Sequence, residues 1–145
     1  MVPIDSIRDP EAIACATEAA EFLGTFPWCG KINGGYLAWW CSGLFGVFKF
    51  AVTPTKVSVN DTVWIVVNNT PRACSVCDDA ENWQDALNDF IWDMRRWMKS
   101  DPPNVDAVAL KKHLQTLEDD WVKVTPDQDT WVVAVASEGR LEFTS

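Results

Sequence analysis

Between Trp83 and Lys99 the sequence reads WQDALNDFIWDMRRWMK, and no other stretch restricts the fold as strongly. Trp83, Leu87, Phe90, Ile91, Met94, Trp97 and Met98 recur at spacings of three and four, so a helix gathers them on one face. A face that apolar must be buried. Advancing about 100° per residue carries Asp85, Asn88, Asp89, Arg95 and Arg96 to the opposite side, with Trp92 near its centre. An indole on that side has no apolar neighbour of its own, which makes it the first candidate for contact with another molecule.

The flanking sequence supplies the layer on which such a helix can pack. Thr62 to Val67 is a run of β-branched and apolar residues that reads as a buried strand. Asn68-Asn69-Thr70-Pro71 turns the chain so that Arg72 to Cys77 returns antiparallel. Asp78-Asp79 then opens the helix and can cap it, while Arg95, Arg96 and Lys99 match the dipole at its other end. Further upstream, Asp9 as N-cap, Pro10 at the first helical position and Glu11 in the first turn predict a helix that stops at Gly24. Its buried stripe is Ile13, Ala16, Ala20 and Leu23, and Thr25 to Cys29 forms an aromatic lid beyond it.

Asn33-Gly34-Gly35 reads as a turn, after which Tyr36 to Cys41 and Leu44 to Val52 form a hairpin around Ser42-Gly43. The second of these strands is too uniformly apolar for strict alternation, so both of its faces should be partly covered. Asp101-Pro102-Pro103-Asn104 starts a third helix, with Val105, Val108, Leu110, Leu114 and Leu117 as its stripe and Trp121 continuing the spacing, ending near Asp119. Val122 to Val124, Trp131 to Ala136 and Leu141 to Phe143 read as short closing strands. Helices grouped in this way, rather than alternating with strands, predict one α+β domain over residues 1–145, a mainly antiparallel sheet with about three helices packed on it.

A chain of 145 residues can bury a core without metal or disulfide. Nine tryptophans against one tyrosine make much of that core indole. With 21 acidic and 12 basic residues the formal charge is −9, which repels phosphate backbones and suits a basic protein surface, so direct nucleic-acid binding is not expected. Neither a secretory signal nor a membrane span is read, because the apolar stretch 34–52 is interrupted by Ser42, Lys49 and glycines. Five scattered cysteines, Cys15, Cys29, Cys41, Cys74 and Cys77, suit reduced thiols and a cytoplasmic location.

Reactive motifs are few. Cys74-Ser75-Val76-Cys77 has the spacing of a zinc-binding or redox pair, but it precedes the helix, and a strand would send its two thiols to opposite faces. Structural thiols are therefore expected. The one histidine, His113, is placed on an exposed helical face beside Lys111 and Lys112, and no nucleophile motif accompanies it. GLFG at 43–46 lacks the lysine of a phosphate-binding loop. No catalytic residue, metal ligand or cofactor follows from these observations. Phe26, Trp28, Trp39, Trp40 and Trp131 could form an exposed aromatic patch for a subunit contact.

The order Phe26-Pro27-Trp28-Cys29, Gly35-Tyr36-Leu37, Gly46-Val47-Phe48, Trp64-Ile65-Val66-Val67, Asp78-Asp79-Ala80, Ala86-Leu87 and Met94 to Trp97 resembles an uncharacterised family of short bacterial proteins, over roughly residues 22–99. The resemblance implies a bacterial or phage-borne cytoplasmic protein and brings no activity with it. What remains is a surface. Asp85, Asp89 and Asp93 recur every four residues beside Trp92, with Arg96 relieving their charge. This stripe is either a solvated face or a partner-binding patch in which Trp92 anchors and the aspartates steer a basic protein. The function expected is a small, acidic, non-catalytic binding protein, most concretely an immunity-type inhibitor of a basic toxin or nuclease. A phage anti-defence DNA mimic, or a redox or zinc protein using Cys74 and Cys77, is the alternative.

Overall fold

The computed structural model describes residues 1–56, 60–69 and 72–122. Its elements build an α+β fold around five antiparallel strands. The strands are β1 (Val2–Pro3), β2 (Lys31–Cys41), β3 (Phe45–Thr53), β4 (Thr62–Asn69) and β5 (Arg72–Cys77), each hydrogen-bonded to the next in sequence. The helices are α1 (Pro10–Gly24), α2 (Trp83–Met98) and α3 (Ala107–Leu117), the last continuing into a π-helical turn at Glu118–Val122.

The pleat decides which side chain meets which helix. Along β4, Val63, Ile65 and Val67 point into a cluster with α1, while Trp64 and Val66 point into a second cluster with α2 and α3. Phe48 and Phe50 of β3 join the first cluster and Phe45 and Val47 the second. Helices thus cover both faces of the sheet, which is why β3 is apolar almost throughout. In β2 the register shifts between Leu37 and Trp39, so Ala38 and Trp39 both enter the α2 side. Trp39 stacks there on Trp83 of α2, with ring centroids 4.5 Å apart and planes 6° from parallel.

Several local expectations change. Asn33-Gly34-Gly35 lies inside β2, at a second register shift, and not in a turn. Gly35 sits where Ile4 and Phe50 close over the strand: a Cβ would lie 2.5 Å from Ile4 Cδ1 and 2.7 Å from Phe50 Cε1. The α1 stripe is Ala12, Cys15, Ala16, Ala19 and Leu23, and Ile13 is exposed, because small residues let the helix approach the sheet. Asp9 does cap α1, accepting from the N–H groups of Glu11 and Ala12. Glu11 also accepts from Ser42 Oγ at 3.1 Å and Gly43 N at 2.9 Å, tying α1 to the β2–β3 turn, where Gly43 takes a φ of 77°.

On the other side, α3 begins at Ala107 under the Asp106 cap, with Leu110, Leu114 and Leu117 buried and Val108 exposed. Trp97, assigned to the apolar face of α2, is also exposed. No helix among the described residues is long and apolar enough to cross a membrane. The strands expected at Trp131 to Ala136 and Leu141 to Phe143 fall outside the described residues, and Val122 belongs to the π-helical turn.

Candidate functional site

The cap of α2 is Asn82, whose side chain accepts from Asp85 N at 2.9 Å; Asp78 and Asp79 stand before it in the connection from β5. Displacing the cap by a few residues has a structural result. Asn60 Nδ2 donates to the Asp78 carbonyl at 2.6 Å, Trp64 Nε1 donates to the Ala80 carbonyl at 3.1 Å, and Glu81 N donates to Asp85 Oδ2 at 3.3 Å. These bonds hold residues 78–82 against the start of the helix. Between that connection and α2 lies an open groove of about 170 Å³.

One wall of the groove is the helical stripe Asp85, Asn88, Asp89 and Trp92, spaced three and four apart. Cys77, Asp79 and Ala80 form the other. Of the side chains singled out in the sequence, Asp85, Asp89 and Trp92 therefore converge. Asp93 and Arg96 do not line the groove; they pair with each other at 3.6 Å on the exposed shoulder of the helix, where an ion pair contributes little to stability. Arg95, assigned to the outward side, turns to Glu118, 2.9 Å away.

Trp92 is 62% exposed, while Phe90 and Ile91 beside it in sequence are wholly buried. Asp89 is half-buried, and the pKa of its carboxyl is raised from its ordinary value, first by burial and then by the negative charges of Asp93 and Asp79. The Cys77 thiol and Arg96 oppose that shift. Cys77 donates to Asp79 Oδ1 at 3.0 Å and is pushed up to about 12, chiefly by burial. It is a protonated hydrogen-bond donor at neutral pH, not a thiolate.

The geometry separates the two cysteines of the C-x-x-C. Cys77 packs on the α2 side of the sheet, and Cys74 on the α1 side, where it donates to Glu18 Oε2 at 3.4 Å. Among the described residues no three His, Cys, Asp or Glu side chains come together to hold a metal ion. His113 is not on a free face: it is half-buried, 3.1 Å from Oδ1 of the fully buried Asn68, and burial lowers its pKa. The expected aromatic patch does not form, since Trp39 and Trp40 are buried and Phe26 stacks on a half-buried Trp28 at 5.1 Å; Trp131 lies outside the described residues.

Asn88 was legible from the helical spacing, because it falls between Asp85 and Trp92 on the same stripe. Asp79, Ala80 and Cys77 were not, because their place depends on the bonds from Asn60 and Trp64 across the sheet. The fold and groove define an α+β protein with an acidic, indole-bearing concavity. No family model, curated protein or solved structure matches the chain.

Proposed function

We propose that this is a small acidic binding protein of the bacterial cytoplasm, an immunity-type inhibitor that blocks a basic toxin or nuclease through the outer face of α2. The observation that carries the reading is the coincidence of a 62% exposed indole with a carboxylate, Asp89, that is charged at a cost in the free protein. A solvated surface needs neither. A docking surface uses both, an apolar anchor for affinity and a charge that its own neighbours only partly offset, for orientation and association rate.

An exposed indole set among the carboxylates favours a protein contact over mimicry of a DNA backbone, which asks only for regularly spaced charge. The redox and zinc readings gain no support from two thiols on opposite faces of a sheet. The test is affinity capture from the native cell or infected host with the wild type, Trp92→Ala and Asp89→Lys, followed by binding measurements on the purified partner. Loss of the same basic protein by both variants is the expected result. Its retention by both would remove α2 as the docking face.

A further inference from the structure

We infer that the groove between β5 and α2 is a socket for one arginine side chain of the partner, with Trp92 as the wall on which its guanidinium stacks; this rests on the docking reading above. Three aspartates line the groove and, among the described residues, no basic side chain does, since Arg96 is engaged with Asp93 outside it. The occupant is therefore cationic. The carboxylates are distributed around the concavity and do not converge as metal ligands, which fits a cation whose charge is spread over several donors rather than a point ion.

Arginine fits that arrangement better than lysine. Its planar guanidinium can lie on an indole while its edge donates to separate carboxylates, whereas an ammonium offers no plane and is more strongly hydrated. Asp79 and Asp89 stand on opposite walls, so a group between them can donate to both. An apolar side chain would desolvate Asp89 further and add no charge to the partial relief that the Cys77 thiol and Arg96 give it, which is costly. Bringing a cation beside Asp89 would relieve the repulsion from Asp79 and Asp93 that opposes its ionisation.

The probes are N-acetyl-arginine amide and N-acetyl-lysine amide, titrated into the ¹⁵N-labelled full chain by NMR. The expected result is saturable, millimolar binding of the arginine probe, read at the Trp92 indole N–H and the Asn88 side-chain amide, about fivefold tighter than the lysine probe. Asp89→Asn, which keeps the shape of the side chain, should weaken the arginine probe about tenfold. Equal binding of the two probes, shifts that grow linearly without saturation, or an unchanged response in Asp89→Asn would each overturn the socket. The docking reading is judged separately: if the probe fails while Trp92→Ala still abolishes partner capture, the socket is wrong and the face stands. If the probe binds as expected while Trp92→Ala leaves capture intact, the groove takes arginine but the partner does not dock on it, and both the docking face and the partner's arginine are wrong.

Discussion

Replacing Trp92 with alanine separates docking from folding, because the indole is 62% exposed in the free protein. A fully buried tryptophan removes roughly 150–250 Å² from water. Only about two-fifths of such an area is covered here, so at ~25 cal/mol per Å² the side chain contributes at most ~2 kcal/mol to folding. Alanine keeps the Cβ and is a better helix former by ~0.5 kcal/mol, which leaves a net loss of ~1 kcal/mol and a Tm lower by roughly 2–4 °C. Phe90, two residues earlier and fully buried, sets the contrast: Phe90→Ala should cost ~3–5 kcal/mol. For binding the order reverses, since a central indole anchor is worth ~2–4 kcal/mol, or roughly 30- to 1,000-fold in Kd. Urea unfolding followed by circular dichroism measures the first quantity, and calorimetry with the purified partner the second. If Trp92→Ala destabilises the free protein as much as Phe90→Ala and leaves Kd unchanged, the indole is core and not an anchor.

Asp89→Asn should stabilise the free protein at neutral pH while weakening partner binding. Its folded pKa is raised, so its contribution to stability is full below the unfolded carboxylate pKa and is lost as pH rises through the folded value; urea midpoints from pH 4 to 7 should lose that slope in the variant, and an unchanged slope would assign it elsewhere. For His113 the sign is opposite. A lowered folded pKa gives stability that is present above the unfolded value of 6.5 and lost as pH falls through the folded one, and His113→Gln should flatten the unfolding midpoint across that window. Cys77, hydrogen-bonded to Asp79 and pushed up to about 12, should react with a maleimide at pH 8 far more slowly than in the unfolded chain, and fast labelling of Cys77 itself in the folded protein, located by peptide mapping, would contradict its place beside Asp79.

Local chemistry was enough to find most elements. Asp9-Pro10 set the start of α1, the β-branched run at 62–67 fell within β4, and the spacing from Trp83 to Met94 oriented α2 so that Trp92 faced outward. These features are decided by residues within one or two turns of each other, so periodicity and capping report them directly. Local preference misled where a distant contact outweighed it. Of the two glycines that read as a turn, Gly35 is required in a strand because Ile4 and Phe50 close over it, while a Cβ at Gly34 would meet nothing within 4 Å. His113 looked solvated beside two lysines, yet the end of β4 brings the buried Asn68 amide to its ring.

The candidate site divides along the same line. Sequence alone determined that α2 has an acidic side bearing a tryptophan, because a helix fixes the angular position of every residue on it. It could not determine that this side has depth. The second wall of the groove comes from Cys77, Asp79 and Ala80, held by hydrogen bonds from Asn60 and Trp64 that only the assembled sheet can provide. Tertiary structure also divided the acidic stripe, sending Asp85 and Asp89 into the groove and leaving Asp93 outside with Arg96. The physical reason is that a helix specifies direction from sequence, whereas burial, and with it the raised pKa of Asp89, depends on what the rest of the chain places opposite.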